Sequence, residues 1–280
     1  MIAILGATGQ LGTAFVRLLG KSAAPITRDE LDLSDTPSIA TWANDTRPEL
    51  MINCAGYTDV DAAEMNEGAS HLVNTLAVGA LARAASDIGS RFVTFSTDYV
   101  FDGNKTTGYI ESDAPNPMSV YGRTKLEGEQ LARSVNPESL VIRTSWVLSG
   151  THPNFAATML RLIRKGQVRV VNDQRGRPTV VDDLAKSTLT CLDSGVSGVL
   201  HLTNQGETTW FGLAQEVAEL AGLDRARVKP CSTADFPRPA ARPANSVLDS
   251  ERFADLAIPP TPHYRESLDA VVQSLVERGY

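Results

Sequence analysis

Tyr121 and Lys125 are the residues whose types and spacing best suit catalysis. They are four positions apart, so on a helix both side chains point into the same space. A free tyrosine has a pKa of about 10, which is too high for ready proton exchange at neutral pH. A cation held beside it in a partly dry cleft is expected to lower that pKa to ~7, which requires about 4 kcal/mol. The pair therefore predicts a proton donor for a carbonyl group, which needs a hydride source beside it.

Thr97 lies in a second polar cluster, Ser96-Thr97-Asp98-Tyr99, which follows the apolar run 92–96. If that run is a strand of a parallel sheet, its carboxyl end faces the ligand cleft and Thr97 stands opposite Tyr121. There the hydroxyl is expected to hold the oxygen that accepts the proton. A strand-end turn with capping hydroxyls is the competing interpretation, and the presence of Tyr121 and Lys125 argues against it. Thr97, Tyr121 and Lys125 are thus the predicted catalytic residues.

A glycine-rich turn at residues 6–12 is the predicted binding site of a hydride carrier. Its spacing is G-x-x-G-x-x-G, one residue off the dinucleotide fingerprint, and it lies between a strand pattern and a helical pattern. Gly6 permits the tight turn, Gly9 lets the backbone approach a pyrophosphate, and Gly12 lets the helix pack on the strand. The pyrophosphate is expected at the helix N-terminus. The predicted contacts here are Gly6, Thr8, Gly9, Gln10, Leu11 and Gly12.

The tip of the second predicted strand bears on the choice between NADH and NADPH. An acidic residue there binds the ribose 2′-hydroxyl of NADH, whereas an arginine suits the 2′-phosphate of NADPH. Arg28 therefore favours NADPH, while Asp29 leaves NADH open, and a plain surface role for Arg28 is an alternative. Asp32 is expected to reach the adenine amino group, and the small residues that end the third strand are expected to pass under the cofactor. These further predicted contacts are Asp32, Leu33, Ala55, Gly56 and Tyr57.

Apolar runs alternate with helical patterns up to about residue 200. Strands are predicted at Ile2–Leu5, Ala24–Thr27, Leu50–Asn53, Phe92–Ser96, Leu140–Thr144, Val168–Val171 and Val199–Leu202. Helices are predicted at Leu11–Leu19, Thr36–Ala43, Asn66–Ile88, Val120–Ser134, Phe155–Arg164 and Val181–Leu192. Alternating β and α units predict an α/β fold, a Rossmann-type doubly wound parallel sheet with helices on both faces. Such a sheet binds its ligands beyond the carboxyl ends of its strands.

The composition changes after about residue 204. Helices are predicted at Trp210–Ala221 and Tyr264–Arg278, and 230–243 is irregular, proline-rich and contains Arg238 and Arg242. That stretch is either a solvated connector or part of a lobe that closes over a substrate, where an arginine would meet a phosphate. We expect a nucleotide-binding domain at 1–147 and about 167–203, and a smaller substrate-binding lobe at about 148–166 and 204–280.

Bulk composition narrows the class of protein. A net charge of −7 argues against a nucleic-acid-binding surface. The sequence has no apolar run of the ~18 residues that a membrane span needs, and its first residues do not resemble a signal peptide. The sequence has three cysteines, an odd number without C-x-x-C spacing: Cys54, Cys191 and Cys231. This is the cysteine usage expected of a protein in a reducing compartment. The prediction is a cytoplasmic protein without nucleic-acid or membrane partners.

The residues above resemble the extended short-chain dehydrogenase/reductase superfamily, and within it the dTDP-4-dehydrorhamnose reductase family. The resemblance rests on the glycine turn, on Thr97, Tyr121 and Lys125, and on flanking blocks that span residues 2 to about 186. These blocks are 53–61 (NCAGYTDVD), 96–103 (STDYVFDG), 121–129 (YGRTKLEGE), 143–147 (RTSWV) and 173–179 (DQRGRPT). Only 96–103 and 121–129 separate this family from its relatives.

The resemblance implies an NADPH-dependent reductase, with NADH possible, acting on the 4-keto group of a nucleotide-activated deoxysugar. Tyr121 would protonate the new alkoxide and Lys125 would bind the nicotinamide ribose, so both join the cofactor contacts. By the same resemblance the substrate-binding residues are Thr97, Asp98, Tyr99, Trp146, Asn154 and Arg175. Asn154 and Arg175 would lie near the phosphates, and Trp146 is alternatively a core aromatic.

Other readings of the sequence stay open. One is an epimerase or dehydratase of the same superfamily, since dehydratases carry acidic residues beside the threonine, as Asp98 does here. Another is a non-enzymatic NADP-binding regulatory subunit. Some family members are metal-bridged dimers that use carboxylates of the first helix, but this helix begins Thr13-Ala14-Phe15. We therefore expect no metal, and a monomer or weak homodimer.

Overall fold

A six-stranded parallel sheet is the centre of the computed structural model, which describes residues 1–256 and 258–280. The strands are β1 (Ile2–Leu5), β2 (Ala23–Ile26), β3 (Leu50–Asn53), β4 (Arg91–Thr97), β5 (Leu140–Thr144), β6 (Val147–Leu148), β7 (Val168–Val171), β8 (Arg175–Gly176), β9 (Thr179–Val180), β10 (Gly198–His201), β11 (Thr208–Thr209) and β12 (Val228–Cys231). The sheet order is β10-β5-β4-β3-β1-β2, and each neighbouring pair is parallel. The chain changes direction across the sheet between β1 and β3, which makes this the switch point where such sheets bind ligands.

Helices cover both faces of the sheet and form most of the C-terminal part. They are α1 (Gln10–Leu19), α2 (Thr36–Thr46), α3 (Val60–Met65), α4 (Glu67–His71), α5 (Ala77–Ile88), α6 (Val120–Val135), α7 (Phe155–Lys165), α8 (Val181–Asp193), α9 (Trp210–Leu220), α10 (Phe253–Leu256) and α11 (Tyr264–Glu277). Among the described helices, none is both long and apolar enough to cross a membrane.

Alternating strand residues build a core on each side of the sheet. Ile4 and Ile52 face α1 and α8, where Phe15 and Leu184 are fully buried. Ala3, Leu5 and Met51 point the other way and pack against α2, α5 and α6. Because successive strand side chains point to opposite faces, strands apolar at every position are the ones that carry helices on both faces. The predicted doubly wound α/β architecture is confirmed.

A separate core holds the C-terminal part together. α7, α9 and α11 enclose it, and Leu160, Leu213 and Leu275 lie at its centre with no exposed surface. The predicted strand Val168–Val171 belongs here: it pairs in parallel with β12 and not with the central sheet. Periodicity could not assign it, because an apolar strand has the same pattern whichever core it joins.

The predicted helix Asn66–Ile88 is interrupted. α4 and α5 are joined by a π-helical turn over Leu72–Leu76, which contains the buried Asn74. The Asn74 side chain reaches away from the helix and bonds both backbone polar groups of Tyr57, at 2.8 and 3.0 Å. π-turns of this kind are frequent at functional sites, and this one lies next to the loop that follows β3.

Candidate active site

Tyr121 lies in the first turn of α6, which begins at Val120. Ser119 is the N-cap of α6, and its hydroxyl accepts a hydrogen bond from the Gly122 amide at 3.1 Å. Gly122 leaves room for the Tyr99 carbonyl, which a Cβ at this position would strike. The Tyr99 and Tyr121 rings consequently meet edge to face, with centroids 5.7 Å apart. Capping and close packing thus place the phenol beside the end of β4 in the first turn of the helix.

Thr97 ends β4 and faces the same space. Its hydroxyl donates to Asp98 Oδ1 at 3.0 Å and accepts from the Tyr99 amide at 3.2 Å, and it lies near enough to the Tyr121 phenol to act on its pKa. Lys125 Nζ donates to the Phe95 carbonyl of the same strand at 2.5 Å. The structure therefore brings Thr97, Tyr121 and Lys125 together between β4 and α6, as the sequence predicted.

The expected lowering of the Tyr121 pKa is not found. Burial raises the pKa of this phenol to about 12, the Thr97 hydrogen bond opposes that rise, and the nearby Asp98 adds to it. Burial prevails because the phenolate loses its hydration in the cleft, while the Lys125 ammonium is engaged by the Phe95 carbonyl. Tyr121 therefore keeps its proton throughout the neutral range, as a proton donor must.

Lys125 is buried, which disfavours its charge. Burial lowers its pKa to about 8, and the carboxylate of Glu129, one turn along α6, acts in the opposite direction. A Cβ built on Gly56 would lie 3.8 Å from Lys125 Nζ and 3.4 Å from Asn74 Oδ1. The loop after β3 thus passes directly over the lysine, and Asn74, which sequence reasoning missed, fixes that loop. No sequence pattern marks Asn74, because its partner Tyr57 lies 17 residues away.

Asp98 is buried beside Thr97. Its Oδ1 accepts the Thr97 hydroxyl at 3.0 Å, while Oδ2 has no hydrogen-bond partner in the described part of the chain. Burial raises the pKa of Asp98 to about 6, against the opposing influence of the Ser246 and Thr97 hydroxyls. The folded protein therefore binds this proton more tightly than the unfolded chain does.

That raised pKa gives a pH-dependent contribution to stability. It is fully present below the ordinary carboxyl pKa of 3.8 and is lost as the pH rises through about 6. Between pH 4 and pH 7 we expect the free energy of unfolding of the wild type to fall relative to that of Asp98→Asn by on the order of 2 kcal/mol. Urea titrations of both proteins at the two pH values measure it. A difference independent of pH would show that the carboxyl stays hydrated.

The glycine turn forms an anion cradle at the N-terminus of α1. Gly6 has a φ of 70°, and a Cβ there would lie 2.7 Å from the Ala55 amide nitrogen, so the turn packs directly on the loop after β3. A Cβ on Gly12 would strike the Gly6 carbonyl. Gly9 is different: it has space around it, and as N-cap of α1 it offers no side-chain cap to the free amides. Free amides without a capping side chain suit a pyrophosphate.

Residues after β2 lie where an adenosine would be recognised. The Arg28 side chain is 80% exposed and approaches Asp32 Oδ2 at 3.3 Å, a weak surface pair. Asp32 also accepts from the Ser34 amide and hydroxyl, and mainly these two bonds lower its pKa. Arg28 is therefore the group free to turn toward a phosphate, whereas the Asp32 carboxylate is already engaged.

Trp146 lies at the edge of the C-terminal core. Its backbone is left-handed, with a φ of 46°, and its ring stacks on Trp210 with centroids 3.5 Å apart. Gly176 touches the indole so closely that no side chain fits there. Trp146 is half-buried, so its ring packs against the core and remains partly accessible. The two interpretations of this residue are thus compatible.

Asn154 and Arg175 are engaged in contacts within the protein. Asn154 caps α7 through Oδ1 and donates through Nδ2 to the Ser149 carbonyl at 2.7 Å. Arg175 pairs with Glu207 at 2.8 Å on the surface. Their predicted place near the phosphates stays a prediction. Within residues 1–256 and 258–280, no group of His, Cys, Asp and Glu side chains has the geometry of a metal site.

The sheet topology, the anion cradle at its switch point and the Thr97–Tyr121–Lys125 group define a Rossmann-fold oxidoreductase of the short-chain dehydrogenase/reductase type. The chain belongs to the family described as "RmlD substrate binding domain", whose model matches residues 1–277.

Proteins similar to this chain have named activities. A dTDP-4-dehydrorhamnose reductase of Mycobacterium tuberculosis is 42% identical over 277 residues, which cover 95% of this chain and 90% of the relative. A probable dTDP-4,6-dihydroxy-2-methyloxan-3-one 4-ketoreductase of Streptomyces antibioticus is 41% identical, with 95% and 92% covered. The crystal structure of a dTDP-4-dehydrorhamnose reductase of Bacillus anthracis in complex with NADP is 30% identical, with a TM-score of 0.91 over 99% of this chain and 98% of that one.

Proposed function

We propose that this chain reduces the 4-keto group of dTDP-4-dehydrorhamnose, or of a closely related dTDP-deoxysugar, with NADPH, and that dTDP-L-rhamnose is the product in the first case. The observation that carries the proposal is the meeting of Thr97, Tyr121 and Lys125 at the carboxyl end of β4, next to the anion cradle of α1. The names of the relatives that cover nearly the whole chain support the substrate.

Each catalytic residue has a separate role in the reduction of the C4 keto group. NADPH, when bound, supplies the hydride for C4 of the sugar. Tyr121 donates its proton to the C4 oxygen as charge develops there. The pKa of Tyr121, about 12, is below the pKa of the alcohol that forms, which is close to the ~15.7 of water. Proton transfer from the phenol to the C4 alkoxide is therefore favourable. Thr97 hydrogen-bonds the same oxygen, and Lys125 holds the nicotinamide ribose beside it.

The cofactor contacts follow from the cradle and the two loops that flank it. Gly6, Thr8, Gly9, Gln10, Leu11 and Gly12 hold the pyrophosphate, and Arg28, Asp32 and Leu33 recognise the adenosine. Ala55, Gly56 and Tyr57 lie under the cofactor, in the loop that Asn74 fixes. The uncapped α1 and the exposed Arg28 support this assignment, as does the NADP found in the relative from Bacillus anthracis.

Arg28→Ala is expected to weaken NADPH binding by about tenfold and NADH binding by less than about twofold, since the 2′-phosphate is the only group that distinguishes them and a charge-assisted hydrogen bond contributes ~1.5 kcal/mol or more. Titration of each cofactor by protein fluorescence measures both affinities. The matched control is Arg123→Ala, which removes an exposed arginine of α6 that pairs with Glu67. An unchanged NADPH-to-NADH ratio would return Arg28 to a plain surface role.

The substrate lies on the C-terminal side of the catalytic group. Asp98, Tyr99 and Trp146 contact the sugar or base, and Asn154 and Arg175 lie near the phosphates. The C-terminal core and the pairing of β7 with β12 support a substrate lobe that also includes residues 168–171. The protein acts in the cytoplasm as a monomer or weak homodimer. Its three unpaired cysteines and the absence of acidic residues in the first turn of α1 support these two points.

The test is to incubate the purified chain with dTDP-4-keto-6-deoxysugars and follow the loss of NADPH absorbance. Net consumption of NADPH with formation of the 4-hydroxy sugar supports a reductase. Turnover that retains a tightly held NAD⁺ would favour an epimerase or dehydratase. A stable NADP complex without turnover of any keto-sugar would point to a regulatory subunit.

A further inference from the structure

The Asp61 carboxylate binds two arginine side chains from a segment that is far away in the sequence. Asp61 lies in the first turn of α3, and its carboxylate receives Arg242 Nη1 and Nη2 at 2.9 Å each, one on each oxygen. Arg238 Nε donates to Oδ2 at 2.9 Å and the Ala240 amide to Oδ1 at 3.2 Å. We call residues 237–243 the strap. In the described part of the chain, every polar contact of the strap beyond itself ends on Asp61.

The residues that follow the strap are held quite differently. The Ala244 carbonyl accepts from the Arg175 amide at 2.8 Å, and the Asn245 side chain donates to two carbonyls of the loop 105–107. The Val247 carbonyl accepts from the Tyr109 amide at 2.8 Å. Residues 244–247 therefore have several polar partners, whereas the described polar contacts of the strap beyond itself all end on one carboxylate, that of Asp61.

The charges that hold the strap act on Tyr99, the ring that packs on Tyr121. A Cβ on Gly103 would lie 2.7 Å from the Pro243 Cα, so the last residue of the strap packs on the loop that follows the polar cluster at the end of β4. Burial raises the pKa of Tyr99, Arg242 opposes that rise and Asp61 adds to it, so both charges lie within reach of this phenol. The Tyr99 ring packs edge to face on Tyr121, so the phenol that these two charges influence is in direct contact with the proton donor.

The Asp61 carboxylate that holds the strap is charged at neutral pH. Burial acts to raise the pKa of Asp61, but the hydrogen bonds from Arg242, the Ala240 amide and Arg238 outweigh it and hold the pKa at about 2. The Asp61 and Arg242 side chains are only 17% and 18% exposed, so water screens their pairing weakly. A bidentate arginine–carboxylate pair of this kind specifies geometry as well as attraction.

We propose that Asp61 is a positioning residue for reduction of the keto-sugar: through Arg238, Ala240 and Arg242 it holds the strap closed over the substrate side of the catalytic site, and the strap opens to admit substrate. The proposal rests on the proposed function. Asp61 contacts neither the Tyr121 phenol nor the C4 keto group, so it does not act on the chemical step. It acts on the fraction of protein molecules in which the strap is closed and the sugar can be bound. Apparent affinity falls in proportion to that fraction.

The experiment compares Asp61→Asn, which removes the charge but keeps the volume, with the wild type and with Glu67→Gln. Glu67 is the matched control because it pairs with Arg123 at 2.6 Å on the adjacent helix, far less buried and away from the strap. We expect KM for the dTDP-keto-sugar to rise about tenfold, kcat to change less than about threefold, and NADPH affinity to stay unchanged. Hydrogen–deuterium exchange is expected to rise in the strap and in no other segment.

A double variant separates the pair from its parts. If Asp61 acts through Arg242, then Asp61→Asn combined with Arg242→Met raises KM no more than the stronger single change. Unchanged KM in an active Asp61→Asn protein would overturn the positioning role and leave the proposed function intact. Faster exchange throughout the chain would assign Asp61 to general stability and also overturn it. A wild type that turns over no keto-sugar would instead refute the proposed function.

Discussion

Tyr121→Phe is expected to lower kcat for keto-sugar reduction by about 10²–10⁴-fold while leaving the affinity for NADPH nearly unchanged. The substitution removes one hydroxyl from a ring that stays packed against Tyr99, so the shape of the site is kept. The proton for the C4 oxygen must then come from water, which is not held in line with that oxygen as the phenol is. Steady-state kinetics and a fluorescence titration with NADPH measure the two quantities.

Tyr264→Phe is the matched control for this change. It removes the same hydroxyl from a buried tyrosine in the C-terminal core, where the phenol bonds Glu216 at 2.9 Å. Turnover of the control is expected to equal that of the wild type. Because burial raises the pKa of Tyr121, the wild-type rate should show no loss of a tyrosine proton in the neutral range. Equal activity of Tyr121→Phe and wild type would rule out the phenol as the proton donor.

Arg143→Met is expected to lower the free energy of unfolding by about 3–5 kcal/mol. Arg143 Nη2 and Nε bind Glu129 at 2.7 and 3.0 Å, and both side chains are about 5% exposed or less. Without the arginine, the buried Glu129 carboxylate loses its hydrogen-bonded counter-charge. The pair joins β5 to α6, the helix that carries Tyr121 and Lys125, so activity should fall with stability. Urea unfolding followed by circular dichroism measures the change.

Two further variants test the reason for that loss. Arg143→Met combined with Glu129→Gln removes the stranded charge and should recover part of the stability. Arg123→Met breaks an exposed pair between α6 and Glu67 of α4, and it should change the free energy of unfolding by less than about 1 kcal/mol. If Arg143→Met were as mild as Arg123→Met, the buried pair would not stabilise the fold.

Local patterns predicted the elements that carry the chemistry. The turn at Gly6–Gly12, the strand that ends at Thr97 and the helix that presents Tyr121 and Lys125 depend on short-range rules of turn geometry, strand alternation and helix capping. Each rule acts within a few residues, so the sequence contains all the information it needs. The alternation of strands and helices along the chain likewise predicts a parallel sheet with helices on both faces.

Other features depend on partners that are far apart in the sequence. Asp61 lies 181 residues from Arg242, and Asn74 lies 50 residues from its hydroxyl partner Thr124. The spacing of apolar and polar residues does not predict such pairs, because nothing near either residue in the sequence depends on its partner. The same holds for β7, whose apolar pattern fits either core.

The sequence by itself determined which groups are available: a phenol, an ammonium and a hydroxyl at the ends of a strand and a helix, with a glycine turn for a nucleotide. Only the tertiary structure decided their protonation and surroundings. Burial turned the expected fall of the Tyr121 pKa into a rise, because desolvation depends on what covers a group and not on its neighbours in sequence. The tethering of the strap to Asp61 has the same origin, since it exists only where two distant segments meet.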